Sequence, residues 1–264
     1  MMARSHPAGI ACHLLRTLTV SLSILAILSS SRPTCGASND LLFDAVRSGD
    51  ARKVRAALSQ GIDANGVTTS GQTPLIFAAG LGRVEIVHLL LDRQASINAK
   101  DKNGVTALMA ASTSGHFAIV RELLKRGADI NSTNNEGMTP VLAAIMSDQF
   151  GVAERLVTAG ANVNIAATNG ATPLIAAIVE GRTNAVTLLL RHGADPNRPD
   201  KNGLTPLITA VARNRFEVVK LLLTGGADPA ATDSQGLTPL RLAMLQGYED
   251  IANLLKNTPR AKER

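Results

Sequence analysis

Histidines are the side chains of this chain that come closest to a metal-binding or catalytic set. Beyond residue 37 there are three of them, His88, His116 and His192, and no cysteine. None has a second histidine at the short spacing that zinc sites use. Each also falls at a different place relative to the surrounding apolar residues, so repetition of the chain does not bring them together. We therefore expect solvent-facing or turn histidines and no bound metal.

Hydroxyl and carboxylate side chains are plentiful, yet no motif arranges them for catalysis. The chain has neither a nucleophile elbow nor a glycine-rich phosphate loop. One threonine recurs and could suggest an array of hydroxyl groups, but each copy stands at a predicted helix start, where a hydroxyl caps backbone N–H groups. These threonines are Thr73, Thr106, Thr139, Thr172, Thr205 and Thr238. We expect no catalytic residue, no cofactor and no enzymatic activity.

The threonine belongs to a motif that recurs at a constant interval. Each copy reads Gly-x-Thr followed by Pro or Ala and then Leu or Val, and successive glycines lie 33 residues apart. The six glycines are Gly71, Gly104, Gly137, Gly170, Gly203 and Gly236. A fixed period of this length is typical of stacked repeat proteins, in which each unit buries its apolar face against its neighbours.

Residues 101–133 show the structure that one repeat is predicted to have. Residues 106–111, a threonine followed by five apolar residues, favour a short first helix, and Gly115 marks a turn. Apolar residues then recur at helical spacing from Phe117 to Leu124, which predicts a second, amphipathic helix. Gly127 ends that helix, and an extended loop leads to the next unit.

These motifs resemble those of the ankyrin repeat, which reads Gly-x-Thr-Pro-Leu-His-x-Ala near its start and Gly-Ala-Asp-x-Asn near its end. Clear copies of the end motif begin at Gly127, Gly160, Gly193 and Gly226, and looser copies begin at Gly61 and Gln94. The resemblance covers about residues 39–258. It implies an all-α repeat solenoid, an ankyrin stack of helix-turn-helix units with β-hairpin-like loops.

About seven units are expected within a repeat domain at residues 38–258, followed by a flexible tail at 259–264. The units span about residues 39–67, 68–100, 101–133, 134–166, 167–199, 200–232 and 233–258. The outer two are more polar than the others and are expected to act as caps, because each end of a stack needs a wettable face.

One departure from the family pattern is systematic. In the family, the histidine after the leucine hydrogen-bonds the adjoining loop. Its place is taken here by Ile76, Met109, Leu142, Ile175, Ile208 and Arg241. The resemblance therefore implies that packing replaces a polar contact in most units.

The first 37 residues are predicted to be a signal peptide. Arg4 and Arg16 precede an apolar run at residues 18–28, and small residues follow it. The run is shorter than the roughly 20 residues of a membrane-spanning helix. Cleavage is expected after Ala37, with Ser31 as the alternative, and would give a periplasmic or secreted protein that is no longer attached to a membrane. The alternative is a membrane anchor left uncleaved at the N terminus.

Removal of this leader changes what the composition implies. The leader carries three arginines and both cysteines, so the formal net charge falls from +6 to +3 and no thiol remains. Acidic residues are interleaved with the remaining basic ones, and the whole chain has no Trp, one Tyr and five Phe. A nucleic-acid partner is therefore not expected, since such proteins combine a basic stripe with stacking aromatic residues.

Candidate binding residues lie where the repeats differ, at the loop tips and at the ends of the first helices. In proteins that resemble this one, such positions line the concave face that holds partners. The predicted partner-binding residues are Lys102, Asn103, Val105, Glu136, Met138, Met146, Val179, Lys201, Leu204, Arg213, Leu237 and Leu245. The apolar members, together with Ala171, predict an exposed apolar stripe along the groove. The alternative is that they pack against the neighbouring loop.

The predicted function is that of a non-catalytic, exported scaffold that binds a partner protein through its loop tips and concave groove. One alternative is an exported effector that engages host proteins, and another is a protective or assembly factor for a periplasmic enzyme. An ankyrin stack behind a secretory leader is an arrangement associated with bacteria, so a bacterial origin is expected. A monomer is expected.

Overall fold

The structure is a computed structural model, and it describes residues 37–258. Over these residues, 14 helices form seven consecutive pairs, and no strand occurs among them. The predicted signal peptide, apart from Ala37 at its end, and the predicted flexible tail lie outside the described residues.

Each pair consists of a first helix, a tight turn and a second helix. The first helices are α1 Ala37–Ser48, α3 Pro74–Gly80, α5 Ala107–Thr113, α7 Pro140–Met146, α9 Pro173–Val179, α11 Pro206–Ala212 and α13 Pro239–Gln246. The second helices are α2 Ala51–Ser59, α4 Val84–Asp92, α6 Phe117–Lys125, α8 Phe150–Thr158, α10 Thr183–Arg191, α12 Phe216–Thr224 and α14 Glu249–Lys256. Every helix packs against its partner, and in the first six pairs each helix also packs against the corresponding helix of the next pair. The predicted all-α repeat solenoid is confirmed.

The recurring threonine sets the start of six first helices. In each, its Oγ1 accepts a hydrogen bond from the N–H three residues later, at 3.2 or 3.3 Å. Proline follows the threonine in five of the six helices, where its missing N–H costs nothing. The predicted capping role is confirmed, so these hydroxyl groups are engaged at helix ends.

The first helices form the interior of the stack. All seven residues of α3 and of α5 are buried. Small residues such as Ala79 and Ala111 lie at the centre of the stack, with no exposed surface. The apolar replacements for the family histidine, Ile76 to Ile208, are buried too, whereas the last of them, Arg241, is exposed.

The loop before each first helix is a tight turn of the β-hairpin kind. In the loop at residues 101–105, the Asp101 N–H donates to the Val105 carbonyl at 3.0 Å, and the Gly104 N–H donates to the Asp101 carbonyl at 2.9 Å. Gly104 has φ +77°, and a Cβ there would approach the Asn134 Cα to 2.9 Å. Glycine is required at this point because the next loop packs directly against it.

The asparagine of the end motif ties each unit to the next. Its Oδ1 accepts the backbone N–H of the residue 31 positions on, at 2.7–2.9 Å. The five acceptors are Asn65, Asn98, Asn131, Asn164 and Asn197. This row of bonds fixes the spacing of successive units at the ends of the second helices.

Candidate partner-binding surfaces

Backbone hydrogen bonds join the loop tips into one continuous line. The Lys102 N–H donates to the Ser70 carbonyl at 3.0 Å, and the Asn135 N–H donates to the Asn103 carbonyl at 2.9 Å. The same bond joins each of the next three pairs of tips, at 2.8–3.3 Å. We call these tips, residues 69–70, 102–103, 135–136, 168–169, 201–202 and 234–235, the loop ridge. Its backbone is held in place by the stack itself.

The side chains of the loop ridge are polar, and many are exposed. Four predicted partner-binding residues, Lys102, Asn103, Glu136 and Lys201, are all exposed on it. The charges alternate in sign along the ridge, from Lys102 through Glu136 to Lys201. The structure therefore brings these four residues onto one line across consecutive units.

The predicted apolar stripe is wrong. Val105, Met138 and Leu204 are at most 9% exposed and belong to the core. Ala171 is also buried, and Leu237 packs half-buried against the core. The physical reason is local: the N–H of Val105 bonds to Asp101 Oδ1 at 2.8 Å, so the chain has already turned back towards the first helix. These side chains are buried in the hydrophobic core and do not line an exposed groove.

The other predicted residues lie apart from the loop ridge. Met146, Val179 and Arg213 are half-buried at the C-terminal ends of their first helices, whereas the ridge precedes the N-terminal ends. Leu245 is exposed on α13, in the last pair. The predicted residues are therefore distributed between the loop tips, the loop-to-helix turns and the C-terminal ends of the first helices.

An exposed apolar row was missed in the sequence. Val84, Phe117 and Phe150 are the first residues of α4, α6 and α8, and their side chains are 39–46% exposed. They occupy the same place in three consecutive units, and we call them the turn row. Phe216 holds this place in α12, half-buried. Since three of the chain's five phenylalanines share this position, their spacing was the signal that could have revealed it.

Polar side chains beside the turn row connect successive turns. Arg83 Nη2 donates to the Arg47 carbonyl at 3.1 Å, and His116 Nε2 lies 3.1 Å from the Gly80 carbonyl. His116 thus contacts the turn of the preceding unit and has a structural role. It precedes α6 without capping it through its side chain.

The remaining histidines lie beside a carboxylate or face solvent. His88 Nδ1 is 3.4 Å from Glu122 Oε1, and Arg126 Nε donates to the same oxygen at 2.8 Å. The hydrogen bond from Arg126 lowers the pKa of the Glu122 carboxyl. His192 is exposed at the end of α10. Within residues 37–258, no group of three or more His, Cys, Asp or Glu side chains is placed to hold a metal ion.

None of the helices between residues 37 and 258 combines the length and apolar character needed to cross a bilayer.

Comparison with known families agrees with the repeat geometry. The family model "Ankyrin repeats (3 copies)" matches residues 42–134 and 127–200, and the model "Ankyrin repeats (many copies)" matches residues 189–243. No curated protein matches the chain. Ankyrin repeats are generally protein–protein interaction modules, and proteins built from them are typically non-catalytic. With matches over more than half of its length and a stack of seven helix pairs, the chain belongs to the ankyrin repeat family.

Proposed function

We propose that this chain is a non-catalytic scaffold, exported from the cytoplasm, that binds a partner protein along its loop ridge. The binding role is supported by one observation: the backbone of the ridge is held in a fixed position, whereas its exposed side chains vary. Five hydrogen bonds between units hold the tips in place, while the exposed side chains differ from one tip to the next. A partner bound there orders no loop, and the entropy cost of binding is correspondingly small.

The chemistry of the ridge describes the partner surface that would fit it. Lys102, Glu136 and Lys201 alternate in charge, and the intervening tips carry amides and hydroxyl groups. A complementary surface would present acidic, basic and acidic groups along a line. The ridge has no aromatic residue, and aromatic residues dominate most binding hot spots. Affinity is therefore spread over several units.

Export is the part of the proposal that rests on the leader at residues 1–37. Its positive start, apolar run and small-residue exit are the pattern of a secretory signal. Detecting the protein in the periplasm or medium, with a new N terminus near Ser38, would support export. Intact protein in the cytoplasm would contradict it.

A crosslinked pull-down from the producing cells tests the binding surface. The bait is the tagged full-length protein, compared with a triple variant Lys102→Ala, Glu136→Ala and Lys201→Ala. All three side chains are exposed, so the fold should persist by circular dichroism. The matched control is Phe117→Ser with Phe150→Ser, which alters the turn row and leaves the ridge intact. Loss of a specific protein in the ridge variant alone supports the proposal, whereas loss in the turn-row variant alone overturns it.

The two alternative roles differ in location and in the consequence of deleting the gene. A partner from host cells, with the protein found in the medium, would indicate an effector. Loss of one periplasmic enzyme's activity after deletion, restored by the wild-type gene, would indicate a protective or assembly factor.

A further inference from the structure

The two ends of the stack expose opposite halves of a contact that recurs inside it. At every junction, a first helix packs against the first helix of the next unit. At the first junction, the ring centroids of Phe43 in α1 and Phe77 in α3 lie 5.8 Å apart. We call the direction towards the C-terminal end of the stack forward and the opposite direction backward. Phe43 lies on the forward side of the first unit, and Phe77 lies on the backward side of the second unit.

The last unit leaves its forward side exposed. Arg241 occupies the same repeat position as Phe43, six units later. In all the units between them, the residue at this position is buried. Met244 occupies the place of Val46, where every earlier unit has a buried residue, yet Met244 is 60% exposed. Its neighbour Leu245 is 67% exposed. We call Arg241, Met244 and Leu245 the forward face; with Thr238 and Leu240 they line a shallow depression.

The forward face differs from the expected cap. The polar residues of the last unit predicted a wettable end, and Arg241 is indeed exposed. However, the two residues beside it on the same side of α13 are large, apolar and more than half exposed. The terminal units of a stable stack normally carry a polar outer face.

The first unit leaves its backward side exposed. Leu41 stands where later first helices have a buried proline or alanine, and it is 53% exposed. Asp44 occupies the place of Phe77 and is exposed, whereas its equivalents in the six later units are buried. We call Leu41 and Asp44 the backward face.

We propose that the forward face of one copy binds the backward face of a second copy, so that chains stack head to tail in the register of the repeat. In that register Arg241 of one copy and Asp44 of the next take the places of Phe43 and Phe77. Leu245 takes the place of Arg47, whose guanidinium carbon lies 5.6 Å from the centre of the Phe77 ring. The ion pair therefore forms beside apolar side chains contributed by both copies.

Charge favours this arrangement over a two-fold dimer. A two-fold contact would place the same face on both sides, and each forward face carries the positive charge of Arg241. Head-to-tail contact instead pairs opposite charges and covers apolar surface at both ends. Such a contact does not close on itself, so it produces open chains of copies whose length grows with concentration.

Sedimentation velocity of the full-length protein over a concentration series tests the proposal. Wild type should grow beyond a dimer as concentration rises. A forward-blocked variant, Met244→Glu with Leu245→Glu, and a backward-blocked variant, Leu41→Arg with Asp44→Arg, should each stay monomeric. Their equimolar mixture should form dimers and nothing larger, because only one competent pair of faces remains. Self-association of the backward-blocked variant alone, or a wild type that is monomeric throughout, would overturn the proposal.

A charge exchange tests the register. Arg241→Asp should abolish association because it places two carboxylates together, and adding Asp44→Arg to the same chain should restore it. All these positions are exposed, so unchanged circular dichroism is expected. Failure of the double variant to associate, with its fold intact, would contradict the pairing of Arg241 with Asp44.

Discussion

The Oδ1 of Asn131 accepts a hydrogen bond from the backbone N–H of Asn162, one unit further along the stack, at 2.8 Å. The Asn131 N–H itself donates to Asp129 Oδ1 at 3.0 Å, so the loop is held on both sides. A side chain at one fixed place in the repeat thus connects two units whose contact is otherwise made by packed helices. Stability in a stack depends on such contacts between neighbours as well as on each unit.

Asn131→Ala removes this connection. We expect the free energy of unfolding to fall by about 1 kcal/mol, the usual net value of a hydrogen bond of this kind. Urea unfolding followed by circular dichroism measures it. Asn131→Asp keeps an acceptor oxygen and should lose less. Asn184→Ala, at an exposed position on α10, is the control; an equal loss there would contradict the assignment.

Val105→Asp tests the correction to the apolar stripe. Val105 is buried, so a carboxylate there loses its water, and we expect a loss of stability on the order of 3 kcal/mol. Phe117→Ser changes a half-exposed residue and should cost less than about 1 kcal/mol. Thermal melts of both variants measure the difference. A stable, fully folded Val105→Asp protein would place this residue on the surface after all.

The fold could be predicted from sequence because its determinants lie within one unit. Thr106 caps the helix that follows it, and Gly104 permits a turn with positive φ, so a 33-residue window contains both signals. The burial of Val105 depends instead on how adjacent loops stack. Its apolar character fits a groove and a core equally well, and only the three-dimensional arrangement separates them.

Among the exposed apolar residues, some can likewise be predicted from one repeat and others depend on the neighbouring units. Met244 and Val46 occupy equivalent places in the repeat, and one is exposed while the other is buried. Nothing local distinguishes them, because the difference is whether another unit follows. Phe117 and Phe150 could have been found from their shared position. They lie at the starts of second helices, away from the loop tips and first-helix ends where the repeats differ.

Asp101 makes stability depend on pH. Burial raises the pKa of its carboxyl, although the N–H groups of Asn103 and Val105 both donate to Oδ1 and oppose the shift. As pH rises, the carboxyl ionises first in the unfolded chain. The contribution of Asp101 to the free energy of unfolding is therefore most favourable below the ordinary carboxyl pKa. It declines as pH rises through the pKa of the folded state, and it remains a constant penalty at neutral pH.

Asp101→Asn should therefore stabilise the protein at neutral pH, with the gain vanishing at about pH 3. Asn134 occupies the same place in the next unit, and its Oδ1 accepts both equivalent N–H groups at 2.8 and 3.0 Å, so the amide fits. Urea unfolding at the two pH values measures the change. The carboxyl of Asp50 makes stability depend on pH in the opposite direction. The hydrogen bond from the Lys53 N–H lowers the pKa of this carboxyl, so the stability that it contributes is lost as pH falls. A gain from Asp101→Asn that is equal at both pH values would contradict the role of ionisation.

Gln94→Gly should raise stability without altering any contact between units. Gln94 has φ +60°, in the left-handed region, at a place where five other units have glycine with positive φ. A side chain in this conformation costs roughly 1–2 kcal/mol, and the greater freedom of glycine in the unfolded chain offsets part of that. We expect a net gain below about 1 kcal/mol by urea unfolding. Asn214→Gly, at φ +51°, should gain less, because asparagine tolerates this region better than glutamine does. If Asn214→Gly gained as much as Gln94→Gly, the gain would come from a source other than relief of left-handed strain.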